Sequence, residues 1–184
     1  MNKNLIAVCA GLVLIFLCAV GYVSMYSSAH DTAVSFEENI KKYYDASESQ
    51  LSTYTLTIQE KVQISDKYKD GLKEVIESYF KGREGADQNF VMSYVQQHVP
   101  NLDPKMYQEL MVTIDSGREK FNNLQKMKIE QCTEYGKFRK GFWNSKILDK
   151  DVFPGKDIEH YCAVVSDTRT KNAMKTGVQE VIKL

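Results

Sequence analysis

The sequence predicts an all-α protein: an amino-terminal membrane-spanning helix, then an elongated bundle of long helices, then a short extension of uncertain structure. Three observations predict it. Leu5 to Val23 is a charge-free apolar run of nineteen residues. Beyond it, apolar positions recur in steps of three and four over two long stretches, the signature of a helix with one buried face. Proline, which breaks helices, is confined to Pro100, Pro104 and Pro154.

The apolar run matches the roughly 20 residues a helix needs to cross a bilayer. Lys3 and the α-amino group precede it, whereas Asp31, Glu37 and Glu38 are the first charges after it. Positive charge stays cytoplasmic, so the head (residues 1–4) is expected inside and the anchor at residues 5–23. The remainder is then expected outside the inner (cytoplasmic) membrane, periplasmic or extracellular, in a single-pass arrangement. Lys41 and Lys42 pull the other way from near the limit of that rule's reach. A cleavable signal peptide ending at Ser27-Ser28-Ala29 is the rival reading. The run exceeds the usual apolar core of about 7–15 residues, which favours an uncleaved anchor. Cys9 and Cys18 lie within the run as small hydrophobes. Cys132 and Cys162 lie in the exported part, either bridged, closing a loop of about thirty residues, or buried as separate thiols.

The first long stretch, Asp31 to Phe80, has no proline and only Gly71 as glycine. Phe36, Ile40, Tyr43, Ser47, Leu51, Tyr54, Ile58, Val62, Ser65, Tyr68, Leu72, Val75 or Ile76, and Tyr79 form its stripe. One helix of about 50 residues would be about 75 Å long and needs partners of comparable length. Gly82 and Gly85 punctuate the connection, and Phe90, Val91, Tyr94 and Val95 mark a shorter helix. Asp103-Pro104 then starts the partner: a capping carboxylate followed by a proline whose missing N–H is not needed there. Tyr107, Leu110, Ile114, Phe121, Leu124, Lys128, Cys132, Tyr135, Phe138 and Phe142 carry its stripe to about Leu148, with Gly117 as a mild interruption. The runs Tyr161–Val165 and Val178–Ile182 fit either strand or helix. The expected organisation is a bundle over 24–155 and an extension over 156–184.

Little in the chain points to chemistry. Lys and Arg balance Asp and Glu at 24 each, so no global field steers it to nucleic acid. On the second long helix Glu119, Glu130 and Glu134 interleave with the basic residues, which suits a solvated face better than a phosphate-tracking stripe. His30, His98 and His160 lack the partners a metal site requires, and no phosphate loop, nucleophile elbow or zinc motif occurs. Neither metal nor cofactor is expected. Glu37-Glu38 and Asp149/Asp151 read as solvated surface carboxylates, and the many tyrosines as a bundle seam with hydroxyls at its edge.

Glu37-Glu38 in FEENIKKYYDASESQL, Arg118 ahead of Phe121-Asn122, Tyr135, and Phe153-Pro154 occur in that order behind the anchor. In order and spacing this set resembles the LemA family, over about residues 20–155. The family's arginine-rich stretch and "IPNLV" segment are absent, which marks a divergent relative such as a phage or other mobile element would carry. The resemblance implies a membrane-anchored antiparallel helical bundle with no established enzymatic activity. Arg118 and Asn122 read as polar seam residues that fix register. The expected function is a scaffold or interaction protein of the cell envelope. It would hold the lipid bilayer through residues 5–23 and a protein partner through its helices, with self-association left open. A ligand-binding sensory ectodomain is the alternative, and no residue constellation supports an enzyme.

Overall fold

A computed structural model of the chain describes residues 3–64, 66–83, 86–164 and 174–176. Every regular element among them is helical, and none is a strand. The order is α1 (Lys3–Val62), a 3₁₀ turn (Asp66–Tyr68), α2 (Lys69–Phe80), α3 (Gln88–His98), α4 (Pro104–Lys140), α5 (Asn144–Ile147) and α6 (Ile158–Tyr161). Contacts divide the chain into two compact units. One joins Met1–Lys41 to Glu130–Tyr161, and the other joins Lys42–Ile129 to Cys162–Leu184.

Among the described residues, α1 is the one helix long and apolar enough to cross a membrane by length and composition. None of the residues of its apolar window is buried. Beyond that window, in the first unit, Ala29, Ala33 and Ile40 are buried. They share the interior with Tyr135, Leu148, Phe153 and Ile158. Phe36 packs its ring on Tyr135 and Phe138 at 5.8 and 5.5 Å, and His30 meets Phe153 edge-on at 5.2 Å. The Phe153–Pro154 peptide is cis.

The second unit holds the larger core. Leu51, Ile58 and Val62 of α1 join Leu72, Ile76, Tyr79 and Phe80 of α2, Val91, Met92 and Val95 of α3, and Leu110, Ile114 and Phe121 of α4. Most of these lie on the expected stripes, but in α3 Met92 is buried and Phe90, expected on the apolar side, is exposed. Burial of such a face is what makes each segment a helix in context. Local chemistry sets the ends. Asp87 Oδ1 accepts from Phe90 N at 2.7 Å at the start of α3. Asp103 Oδ1 accepts from Lys105 N at 2.8 Å and Met106 N at 3.3 Å at the start of α4.

The first long helix does not run unbroken to Phe80. α1 ends at Val62, where Gln63 turns left-handed with φ 52°. Gln63 N then donates to Glu60 O and Ile64 N to Gln59 O, the paired bonds of a Schellman stop with glutamine in the glycine place. Ile64 buries its side chain in the core as the motif's apolar latch. Gly82, at φ 65°, makes the same stop after α2, with Gly82 N bonded to Tyr79 O and Arg83 N to Ser78 O. The second long helix also stops short of Leu148. After Lys140, Asn144 Nδ2 takes the Phe138 carbonyl at 2.9 Å, and Phe142 is exposed rather than in the stripe. In the tail, Tyr161 ends a helical turn and residues 162–164 are not strand. Val165 and Val178–Ile182 lie outside the described residues.

Candidate functional site

The first unit gathers four of the residues singled out from the sequence. Glu37 projects from α1, Tyr135 from α4, and Phe153-Pro154 opens the turn that leads to Gly155. Glu37 Oε1 accepts two hydrogen bonds, from the Tyr135 hydroxyl at 2.5 Å and from Gly155 N at 2.9 Å. A side chain on residue 155 would place its Cβ 3.0 Å from Glu37 Oε2, so glycine lets the backbone reach the carboxylate. Tyr135 is only 2% exposed, and the Arg139 guanidinium lies 5.6 Å from its ring centre.

Burial, then the bond to Glu37 and its charge, push the Tyr135 phenol far above the ordinary tyrosine range, with Arg139 opposing weakly. The phenol therefore stays a donor throughout physiological pH. Glu37 is already occupied by two donors on one oxygen. A permanently protonated phenol and a committed carboxylate make a polar lock joining α1, α4 and the cis-proline turn, not a proton-transfer pair. The reading of Glu37 as a solvated surface carboxylate is thus corrected. Its neighbour Glu38 is exposed, as that reading expected.

In the second unit, Arg118 stacks over the Tyr79 ring at 4.5 Å, and Tyr79 donates to Asp115 Oδ1 at 3.0 Å. Burial is the largest cause of the raised Tyr79 pKa, and Arg118 offsets part of it. Phe121 is 3% exposed and packs 5.8 Å from Phe80. Asn122 is exposed and makes no seam. One residue along a helix turns the side chain by about 100°, and Phe121 already occupies the buried direction. Gly117 is a seam position rather than an interruption. A Cβ there would come within 2.6 Å of Tyr54 and 2.7 Å of Phe80.

Lys128 is the residue whose role the charge pattern hid. Counted among the basic residues of a solvated face, it also falls in the apolar stripe, and the stripe wins. It is 1% exposed, its Nζ donates to Ala163 O at 3.1 Å, and that ammonium lies 5.7 Å from the Tyr44 ring centre. Burial lowers its pKa. Nearby, Gln125 Nε2 donates to Ser47 Oγ at 2.9 Å. Cys132 and Cys162 are disulfide-bonded, whereas Cys9 and Cys18 are free thiols. Among the described residues no three His, Cys, Asp or Glu side chains gather to hold a metal.

These clusters can fix helix register and pairing. No family model, no curated protein and no solved structure matches this chain, so the LemA likeness rests on the quoted residues alone.

Proposed function

We propose that the chain is a single-pass membrane-anchored helical scaffold of the cell envelope. Its amino terminus lies in the cytoplasm, and its helices recruit a protein partner on the periplasmic or extracellular side. The observation that carries the reading is the surface of α1 over residues 8–23. Leu12, Leu14, Ile15, Phe16 and Leu17 are each more than 60% exposed. A helix apolar all round is tolerated in lipid and not in water. The disulfide-bonded state of Cys132 and Cys162 fits an oxidising compartment.

The antiparallel arrangement is part of the proposal. Within the first unit Phe36 meets Phe138 and Glu37 meets Tyr135. Within the second, Tyr44 pairs with Lys128, Ser47 with Gln125 and Tyr54 with Gly117. In each unit one number falls as the other rises, which supports helices running in opposite directions. Locks such as Glu37–Tyr135 suit helices that must hold their register while a partner binds their surface.

Alkaline extraction of membranes, paired with a reporter fused after Leu184, tests the anchor and its direction. The protein should stay with the bilayer, and an enzyme active only outside the cytoplasm should light up. Crosslinking in intact cells should then recover one protein in stoichiometric amount. Release at alkaline pH, or a reporter active only in the cytosol, overturns the anchored reading. A retained small molecule without a protein partner would replace the scaffold by a ligand-binding ectodomain.

A further inference from the structure

Two exposed aromatic rings sit on the first unit where nothing in the proposed scaffold uses them. Phe142 and Trp143 are 67% and 61% exposed and pack edge-on against each other at 5.1 Å. Lys146 holds its ammonium 4.5 Å from the Phe142 ring centre. Water is a poor environment for such a pair, and its place along α1 says what replaces water. Phe138 lies against Phe36 and Phe153 lies against His30. The chain between them, which bears both rings, therefore advances along α1 toward the apolar segment. The rings lie between the levels of Phe36 and His30, thirteen and seven residues past Val23, about 20 and 10 Å at helical rise. Between Val23 and His30 no residue is charged and Tyr26 is exposed; Asp31 follows.

We propose that Phe142 and Trp143 insert into the headgroup–acyl boundary of the bilayer that holds α1, so that the first unit rests on the lipid surface. The inference depends on the anchored reading above. Its chemistry is that of an interfacial belt: flat amphipathic rings at headgroup depth, with lysine ammonium groups turned toward lipid phosphates. Lys140, Lys146 and Lys150 flank the rings, partly offset by Asp149 and Asp151. A second protein copy is a poorer occupant. Two rings supply a few hundred Å² at most, whereas stable protein interfaces bury about 1,200 Å² or more.

Trp143 is the only tryptophan in the chain, so its fluorescence reports this site alone. The full-length protein is reconstituted into phosphatidylethanolamine–phosphatidylglycerol vesicles carrying bromines either near the headgroup end of the acyl chains or near the bilayer centre. Vesicle flotation is measured on the same samples. The protein should float, and shallow bromines should quench Trp143 about twofold more strongly than deep ones, as interfacial residence requires. Phe142→Ser should weaken that quenching without altering helix content. If the protein floats while neither lipid quenches Trp143, the rings do not touch the bilayer; the inference fails and the anchor stands. Trp143 shielded from aqueous acrylamide yet unquenched by brominated lipid would mean that protein covers it, which also overturns the inference. Failure to float removes the anchor, and the inference with it.

Discussion

The Tyr135 phenol donates to the Glu37 carboxylate at 2.5 Å; a phenol is the far weaker acid, so it keeps the proton, and burial raises its pKa further. Tyr135→Phe should cost about 1–3 kcal/mol, because Glu37 loses its shortest donor while remaining half-buried. Denaturant titration by far-UV circular dichroism in mild detergent measures it. The pH dependence has a definite sign. Below about pH 10 an unfolded tyrosine is protonated, so both states hold the proton and the lock's contribution is complete. Above that the unfolded chain ionises first, and stability falls as pH rises toward the elevated folded value. Tyr79 and Tyr94, also raised, share this alkaline decline. Tyr135→Phe should make it shallower, and an unchanged slope would mean that the phenol does not report on folding. Glycines separate a second pair of effects. Gly136→Ala should stabilise by up to about 1 kcal/mol through helix propensity, since nothing lies within 4 Å of its Cβ position. Gly117→Ala should destabilise by about 1–3 kcal/mol, because Tyr54 and Phe80 must give way. Equal gains at both sites in the same titration would show that α4 does not pack closely at Gly117.

At the scale of the element, the two helix stops after Val62 and Phe80 have the same hydrogen-bond pattern and different residues at the left-handed position. Gly82 adopts φ 65° freely, whereas Gln63 at φ 52° carries a cost of about 1–2 kcal/mol. Gln63→Gly should therefore stabilise the fold by up to about 1 kcal/mol, although glycine for glutamine inside an exposed helix would cost about as much. A loss of stability in thermal melts would place Gln63 in a continuous helix and contradict the break. The same comparison shows why Gly82 was legible in the sequence and Gln63 was not: only glycine advertises a left-handed residue. The stripe from Phe36 to Tyr79 was legible, since burial alone sets its spacing. It continued in steps of three across the break and so concealed it. Asp103-Pro104 announced the start of α4 through its cap, while Gly117 misled because a close approach and a weak point look alike in one sequence. Glu37, Tyr135 and Phe153-Pro154 were each visible. Their convergence was not, because the donors to Glu37 are 98 and 118 residues away along the chain. No local pattern encodes such a meeting.

For the whole molecule, the decisive quantity is the partition of α1 between water and lipid. Residues 5–23 contain eleven Leu, Ile, Val and Phe residues. At about −0.3 to −0.6 kcal/mol each near the helix centre, they favour insertion by about 5 kcal/mol. Gly11, Gly21 and Tyr22 subtract from that, and the disfavoured charges are all outside the segment. One central arginine costs about 2.5–3.5 kcal/mol on the same scale, which the segment can absorb; two exceed its margin. Leu14→Arg should thus remain resistant to alkaline extraction, while the double variant Leu14→Arg/Leu17→Arg should be released with its helices intact. The graded response is what separates a spanning helix from a merely sticky one. A helix bound by adsorption at the surface turns its polar face to water and should accept two arginines there as readily as one. Retention of the double variant would therefore argue that α1 lies along the membrane surface instead of crossing it.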